Sequence, residues 1–439
     1  MKTSLEVGLA RGAVAWHGGW AQGLRYGALG LPLAFVALPL YVILPNHYAT
    51  EFGIPLATLG ALLLGARLLD AVVDPFIGRW VDGWFARSAG RVLAFAAAAA
   101  VLLAIGFRGL FFPPQSVRSE PASLLLWCAG LLALTYLSYS VISVLHQAWG
   151  ARLGGDETQR ARIVSWREGL ALLGVLVASV LPSLAGLSVA GVVFSATLVV
   201  GVWALWQAPR PALVVSGVDE NTAAAQPSAL WRPLATPAFR RLLLIYLVNG
   251  VASAVPATLV LFFIRDRLQA AAWEPLFLAS YFAAGALSMP LWLRAVARLG
   301  LARTWLVGMA LAVATFAWAA LLGAGDVWAF TAVCVASGVA LGADLTLPGA
   351  LLAGTIQRAG HAQRLEGAYF GWWNFATKLN LALAAGIALP VLAEFGYAPG
   401  ARDLQALQAL TLAYCLLPCV LKLLSAGLLW QLLLKKENR

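Results

Sequence analysis

An arginine and two aspartates lie close together in one of the most apolar parts of the chain. Arg67, Asp70 and Asp74 fall within the segment 65–82 and are separated by three and then four positions. On a helix that turns about 100° per residue, these three positions and Gly78 share one face. A charged side chain at the centre of a bilayer costs roughly 2.5–3.5 kcal/mol. The spacing therefore predicts a charge cluster that must find partners inside a membrane protein.

Two interpretations of this stripe are open. Arg67 and Asp70 could form a structural ion pair that packs two helices together. Alternatively, Asp70 and Asp74 could offer carboxylate oxygens to a sodium ion or share one proton. Arg67 can neutralise only one of the two acids, which favours the cation site and leaves sodium and proton as equal choices.

The composition places these residues in a membrane. The chain has 439 residues, of which 61% are hydrophobic and 11% are charged, whereas soluble domains carry about 25% charged residues. Long apolar runs predict membrane-spanning helices rather than a β-barrel. The net charge of +11 is dispersed through short loops, so we expect no nucleic-acid partner. The four cysteines lack metal-ligand spacing, and we find no catalytic motif, so we expect neither an enzyme nor a cofactor.

The apolar runs predict an all-α protein with twelve transmembrane helices in two six-helix bundles. We assign residues 1–208 to the first bundle, the polar stretch 209–237 to a cytoplasmic linker and residues 238–439 to the second bundle. Most arginines and lysines fall on one side of this arrangement, which predicts that both termini are cytoplasmic. Two such halves are typical of the major facilitator fold, whose substrate site lies between them near the midplane.

The stripe resembles the signature of the glycoside–pentoside–hexuronide:cation symporter family, in which an arginine is followed by an aspartate and an Asp-Pro pair. Further matches are Tyr26-Gly27, Gly53, Asp156, Arg160, Arg162, Arg167, Gly342, Asp344 and the run from Gly367 to Lys378. The resemblance implies that Asp70 and Asp74 bind the coupling cation with Lys378 beside them. It also implies that a fourth-helix hydroxyl assists, at Tyr139 or its neighbours Ser138 and Ser140.

The chain departs from this family at the sugar site. Two aspartates that grip sugar hydroxyls in the family's galactoside carriers become Ala34 and Ile142 here, and a stacking tryptophan becomes His146. A sugar whose hydroxyls lose two acceptors is poorly paired. The resemblance therefore favours cation coupling more than it favours a galactoside.

Other polar and aromatic residues are predicted to line the cavity or to gate it. Lys378 lies in mid-span, too far from either end to reach water easily, and we expect it to pair with Asp70 or Asp74. The predicted substrate contacts are Arg67, His146, Trp149, Tyr369, Trp373 and Asn374, although His146 and the tryptophans could equally be packing residues. Lys422 is expected to have only a local role in the twelfth span.

The predicted gating residues lie towards the cytoplasmic ends of the spans. Asp82 and Arg87 resemble a loop motif of the superfamily. The pairs Arg167–Glu168 and Arg364–Glu366 are interpreted as cytoplasmic latches, and Asp344 with Pro348 as a helix break that aids gating.

The sequence thus predicts a monomeric, multi-pass transporter of a bacterial inner membrane. Its partners would be a small organic solute, a coupling cation and the lipid bilayer. The alternatives are a carrier of lysolipids or amphipathic organic anions and a non-transporting sensor or scaffold. A scaffold has no need to bury Arg67, Asp70, Asp74 and Lys378.

Overall fold

Long helices follow one another along almost the whole chain. The structure is a computed structural model and describes residues 16–211 and 228–435. The helices are α1 (Trp20–Phe52), α2 (Leu56–Arg87), α3 (Ala89–Phe111), α4 (Pro121–Arg152), α5 (157–185), α6 (187–206), α7 (Pro237–Arg267), α8 (Ala271–Leu299), α9 (Leu301–Ala319), α10 (Val327–Arg358), α11 (Glu366–Glu394) and α12 (Leu404–Leu434). Apolar residues with a helical period explain why these segments form helices in lipid.

Ten helices in the described part of the chain are long and apolar enough to cross a membrane. One of them, Glu157–Trp206, has 50 residues, which at about 1.5 Å per residue is far longer than a bilayer core. It bends at Gly186, whose φ of 83° only glycine adopts readily. Leu56–Arg87 is also long enough at 32 residues, but its charges make it less apolar. If Glu157–Trp206 is counted as two spans and Leu56–Arg87 is added, the total is the predicted twelve. The number twelve stays a prediction.

The outer surface of the helices is apolar. Leu184 and Leu287 are each 80% exposed, and Leu126 is 76% exposed. A soluble protein would avoid such a surface, whereas hydrocarbon chains solvate it well. The chain is therefore a multi-pass membrane protein built from helices.

The first half (α1–α6) meets the second half (α7–α12) along two seams. Helix α2 packs along α11, and α5 packs along α8 and α10. Glycines allow the first seam to close: a Cβ on Gly78 would collide with the carbonyl oxygen of Gly367, and one on Gly371 would lie 2.5 Å from that of Asp74. No side chain larger than hydrogen fits at these positions without moving a backbone.

Parts of the predicted linker and both termini lie outside the described residues. Residues 212–227 of the linker, residues 1–15 and residues 436–439 belong to this group. The described end of the linker forms a short helix, Ser228–Ala235. The boundaries at 208 and 238 and the cytoplasmic location of the termini stay predictions.

Candidate functional site

Lys378 of α11 joins the two halves through the aspartates of α2. Its Nζ atom lies 2.7 Å from Oδ2 of Asp70 and 2.7 Å from Oδ2 of Asp74. It also donates to Oγ of Ser140 in α4 at 2.8 Å, and this hydroxyl donates to Oδ1 of Asp70 at 2.6 Å. We call Asp70, Asp74, Ser140 and Lys378 the Lys378 cluster. It brings together the three charged residues that the sequence grouped as a cation site.

The two carboxylates of the Lys378 cluster are not equally satisfied. Asp70 accepts the Ser140 hydroxyl, but neither oxygen of Asp74 makes a hydrogen bond within the described residues. The Lys378 contact of Asp74 is an ion pair by distance, without hydrogen-bond geometry. Asp74 is fully buried, and 18% of the Lys378 side chain is exposed. Buried carboxylate oxygens normally have partners, so Asp74 retains acceptor capacity that a cation or proton could use.

The hydroxyl that is hydrogen-bonded to an aspartate in α2 belongs to Ser140. Ser140 and Tyr139 were both named from the resemblance, and the hydroxyl of Ser140 contacts Asp70 and Lys378. Tyr139 is half-buried and packs against the apolar core. Tyr139 nevertheless lies near enough to Asp70 and Asp74 to interact with their charges, so its part in cation binding stays a prediction.

Arg67 continues the stripe one turn beyond the Lys378 cluster. Asp70, Asp74 and Gly78 are buried, whereas Arg67 is exposed. Its guanidinium carbon lies 3.9 Å from the centroid of the Tyr41 ring in α1. The ion partner of Asp70 is Lys378, so the Arg67–Asp70 pair considered from the sequence does not form.

Three of the predicted substrate contacts have other partners in the structure, and substrate contact by them stays a prediction. His146, Trp149 and Tyr369 are completely buried. The Nε2 atom of His146 lies 2.7 Å from the carbonyl oxygen of Tyr26, and Trp149 donates to that of Pro209 at 2.9 Å. The hydroxyl of Tyr369 is shared with the side chains of Thr236 and His361. Each of the three therefore holds neighbouring segments together, which is the packing role that the sequence left open for His146.

Trp373 and Asn374 lie nearer to the seam between the halves. Trp373 is 6% exposed and stacks on Tyr246 of α7, with ring centroids 3.7 Å apart. Asn374 is 8% exposed and lies one turn before Lys378. Substrate contact by these two residues stays a prediction.

A second set of charges closes one end of the seam. Asp82 of α2 accepts hydrogen bonds from the backbone nitrogens of Gly367 and Ala368 at 2.7 and 2.8 Å. Arg152 of α4 donates to Asp82 at 2.9 Å and lies 3.0 Å from Glu366. A carboxylate at the first turn of α11 is favoured by the partial positive charge there. These charges join α2 and α4 to α11.

A glutamine completes this arrangement. Gln363 receives a hydrogen bond from Arg152 at its carbonyl oxygen, at 2.9 Å, and returns one from its side-chain amide to the carbonyl of Arg152, at 2.8 Å. Its backbone N–H donates to Glu366. Its φ of 65° is unusual for a residue other than glycine. We call Asp82, Arg152, Gln363 and Glu366 the latch, and the end of the bundle that holds it the latched end.

The latch differs in part from the predicted gating pairs. Asp82 and Glu366 belong to it, but Glu366 is within ion-pair distance of Arg152, whose part was missed. Arg87 and Arg364 are exposed. Arg167 and Glu168 pair with each other within α5, with Nε and Oε1 2.8 Å apart. The predicted pair thus forms within one helix, and its part in gating stays a prediction.

Asp344 and Lys422 form a second buried ion pair, which the sequence did not predict. The Asp344 carboxylate accepts from Lys422 and from Trp305 (2.9 Å), Asn249 (3.2 Å) and Ser253 (3.2 Å). Lys422 also donates to Asn249 at 2.8 Å. We call these five residues the Lys422 cluster. All of them belong to helices of the second half.

Two expectations are therefore corrected. Helix α10 continues without interruption past Asp344 and Pro348, from Val327 to Arg358, so no break occurs there. Lys422 was expected to have only a local role in the twelfth span. It is 3% exposed and neutralises Asp344 of α10. The spacing of 78 positions between Asp344 and Lys422 gave no local signal of this contact.

The comparisons with known proteins agree with this fold. The helices, the apolar surface and the buried charges define a multi-pass membrane protein. The chain belongs to the family described as MFS/sugar transport protein, which it matches over residues 25–436. This is a family of transporters, which confirms the expectation that the chain is not an enzyme.

Two curated relatives from Escherichia coli (strain K12) share 30% identity with parts of the chain. The putative glycoside/cation symporter YagG matches over 156 residues, which are 36% of this chain and 33% of that protein. The inner membrane symporter YicJ matches over 138 residues, which are 30% and 28% of the two chains. The chain thus aligns with about a third of each relative's length. The name of YagG agrees with the resemblance to the glycoside:cation symporters, and the name of YicJ describes a symporter.

Two solved structures share the fold of almost the whole chain. A bacterial homologue of the iron transporter ferroportin, in its outward-facing state, has a TM-score of 0.64 at 18% identity and covers 93% of this chain and 99% of its own. The major facilitator superfamily transporter FucP, in its outward conformation, has a TM-score of 0.64 at 13% identity, with coverages of 92% and 99%. At such identities the likeness shows the major facilitator fold alone, as predicted from the sequence.

Proposed function

We propose that the protein is a cation-coupled symporter that moves a small organic solute across the inner membrane of a bacterium by alternating access. The coupling ion is sodium or a proton, and it binds at Asp70 and Asp74. The observation that carries this proposal is the contact of Lys378 with both carboxylates across the seam between the halves.

The charges of the Lys378 cluster explain how an ion could drive the motion. Asp70 and Asp74 carry two negative charges, and Lys378 supplies one positive charge. One further monovalent cation would make the cluster neutral, and low dielectric surroundings strongly favour neutrality. A cation at Asp74 would also compete with Lys378 for that carboxylate. Since Lys378 is in the second half and the aspartates are in the first, the competition changes the attraction between the halves.

The latch is a set of contacts that opposes the separation of the two halves at one end. It holds the halves together at the end where α2 finishes and α11 begins. Additional contacts lie at the same end: Arg160 donates to Gln357 at 2.7 Å, and the backbone nitrogen of Leu301 donates to Glu157 at 2.8 Å. Opening this end requires all these bonds to exchange for water. In the alternating-access scheme, the loaded and empty Lys378 clusters favour different positions of the halves.

Sodium and proton titrations of the purified protein test the cation site. We expect sodium or a fall in pH to raise the melting temperature of the parent protein, because a ligand that binds the folded state stabilises it. Asp74→Asn should abolish this response. The matched control is Glu51→Gln, an exposed acid in the same half, which should respond as the parent does. An unchanged response in Asp74→Asn would place the cation elsewhere.

The orientation of the protein is a further part of the proposal. The concentration of arginine and lysine near the latched end makes this end cytoplasmic by the positive-inside rule. Single cysteines at Glu51 and Ala86 lie near opposite ends of α2 and are both exposed. An impermeant maleimide added to intact cells should label the cysteine at 51 and not the one at 86. Labelling in the reverse pattern would invert the topology.

A further inference from the structure

The second seam between the halves, where α5 packs along α8 and α10, has its own contacts at the latched end. Glu157 begins α5, and its carboxylate accepts a hydrogen bond of 2.8 Å from the backbone nitrogen of Leu301. Arg160, about one turn further, donates to the side chain of Gln357 in α10 at 2.7 Å. Leu301 begins α9, so both contacts join the first half to the second. We call these four residues the α5 clamp.

Glu157 takes the place of a missing capping side chain. The first N–H groups of a helix have no partner within it, and a polar side chain at the N-cap position usually accepts from one of them. The N-cap residue of α9 is Gly300, which has no side chain. A Cβ on Gly300 would lie 3.1 Å from Oε2 of Glu157, the oxygen that accepts from Leu301. The first half therefore caps a helix of the second half.

Two helix starts meet at the Glu157 carboxylate. Glu157 belongs to the first turn of α5, whose own cap is the neighbouring Asp156; the Asp156 carboxylate accepts from the backbone nitrogen of Gln159 at 2.8 Å. The first turns of α5 and α9 each carry a partial positive charge, which favours a nearby anion. When the halves separate here, Glu157 keeps the first turn of α5 and loses that of α9. Its charge therefore favours closure of this end.

The second half has no acid of its own at the equivalent place. In the first seam, Asp82 near the end of α2 accepts from the first turn of α11. The halves of this fold are repeats, so an acid near the end of α8 would correspond to Asp82. Residues 293–300 at that end include Arg294 and Arg298 and contain no acid. The second seam instead uses Glu157, with the acid on α5 and the helix start on α9.

We propose that Glu157 is a gating residue. As the cap that the first half supplies to α9, it stabilises the state in which the latched end is closed, and its separation from Leu301 is a step in the opening of this end. The inference rests on the alternating-access part of the proposed function. It goes beyond that function, because Glu157 lies outside the Lys378 cluster and regulates the motion rather than binding the ion.

A cysteine in the second seam can report the opening of this end. Val164 follows Glu157 by seven positions, about two helical turns, and so lies on the same face of α5. It is buried, and its methyl carbons lie 3.5 and 3.7 Å from the place that a Cβ on Gly349 of α10 would take. A Val164→Cys protein should react with a maleimide when the halves separate. The four native cysteines are buried, so the parent protein gives the background rate.

The labelling rate is measured on purified Val164→Cys protein without sodium or added solute. Adding Glu157→Ala should raise the rate about two- to thirtyfold, the range expected for the loss of a helix cap. Glu157→Gln keeps an acceptor oxygen and loses the charge, so its rise should be smaller. The matched control is Asp156→Asn, which removes the adjacent acid while asparagine still caps α5. It should leave the rate unchanged.

Native Cys128 separates opening from unfolding. It is completely buried in the core of the first half, and its labelling, located by peptide mass spectrometry, should stay slow in Glu157→Ala. Equal rates at position 164 with and without Glu157→Ala overturn the proposal. A rise that Asp156→Asn matches, or that Cys128 shares, overturns it as well. Cation coupling is judged separately, by the response of the protein to sodium and pH and its loss in Asp74→Asn.

Discussion

Two lysines of the second half contact aspartates inside the membrane-spanning helices, and their surroundings differ. Lys378 of α11 reaches across the seam to Asp70 and Asp74 of the first half. Lys422 of α12 stays within its own half and contacts Asp344 of α10. The side chain of Lys378 is 18% exposed, and that of Lys422 is 4% exposed. The two pairs thus share residue types but differ in solvent access and in whether they join the halves.

The aspartates differ as much as the lysines. Asp344 accepts four hydrogen bonds, from Lys422, Trp305, Asn249 and Ser253. Asp74 accepts none among the described residues. A carboxylate surrounded by donors has no free lone pair for a cation, whereas one that meets a single ammonium group does. We therefore expect the ion pair between the halves, rather than the pair within one half, to be exchanged in the proposed transport cycle.

The largest effect is expected for Lys422→Met. This change leaves Asp344 as a buried charge without its counter-charge, and breaking a buried pair in this way costs about 3–5 kcal/mol. We expect a large fall in the melting temperature of the detergent-purified protein, which sodium does not reverse. The double variant Lys422→Met with Asp344→Asn should recover most of the loss. If Lys422→Met alone were as stable as the parent, the Lys422 cluster would not stabilise the fold.

A smaller effect is expected for Gly371→Ala, which disturbs the seam on which the Lys378 cluster depends. The new Cβ would lie 2.5 Å from the carbonyl oxygen of Asp74, and overpacking of this kind costs about 1–3 kcal/mol. We expect lower thermal stability and a weaker response to sodium. Gly386→Ala in the same helix is the control, because its Cβ would meet nothing within 4 Å. Equal behaviour of the two variants would mean that close approach of α2 and α11 is unimportant.

Lys378→Met should affect stability less than Lys422→Met does. The lysine is partly exposed, and in the proposed function a cation takes its place between Asp70 and Asp74. We expect the variant to lose stability in sodium-free buffer at neutral pH and to regain it in sodium or at low pH. Solute accumulation in proteoliposomes should be lost, because the ion no longer displaces a group of the other half. Stability that stays independent of sodium and pH would contradict the exchange between lysine and cation.

The membrane helices and the charged residues of the Lys378 cluster could be predicted from the sequence, and the reason is physical. Long apolar runs have one stable solution in lipid, and charges at Arg67, Asp70 and Asp74 are conspicuous because they are costly there. Their helical spacing indicated a shared face, and the family resemblance supplied Lys378. The role of the cluster in cation binding is still a prediction.

The remaining contacts depend on tertiary neighbours that no local pattern reveals. Asp344 and Lys422 are 78 positions apart, and Arg152 and Glu366 belong to different halves. His146 and Trp149 looked suitable for a ligand, but the sequence does not show that backbone carbonyls would lie at Nε2 of His146 and at the indole nitrogen of Trp149. Likewise, Ser140 and Tyr139 are adjacent, and the rotation of α4 relative to α2 selects the serine as the hydrogen-bond partner of Asp70.

The smallest effect is expected for neutral galactosides, which should not bind measurably. A sugar needs fixed acceptors for its hydroxyls, and the aligned positions hold Ala34 and Ile142, the latter completely buried. The Lys422 cluster offers no substitute, because the Asp344 carboxylate is already occupied by four donors. The acceptor left on Asp74 is needed for the cation.

We therefore expect calorimetry with melibiose to give no heat of binding and no shift in melting temperature, with or without sodium. Glucuronate serves as the comparison ligand in the same buffer, because it tests whether a sugar acid is accepted where a neutral sugar is refused. A dissociation constant for melibiose of about 1 mM or tighter corresponds to roughly 4 kcal/mol of binding free energy. Such affinity requires hydroxyl acceptors that neither lysine cluster provides, and it would show that a sugar site exists elsewhere along the seam.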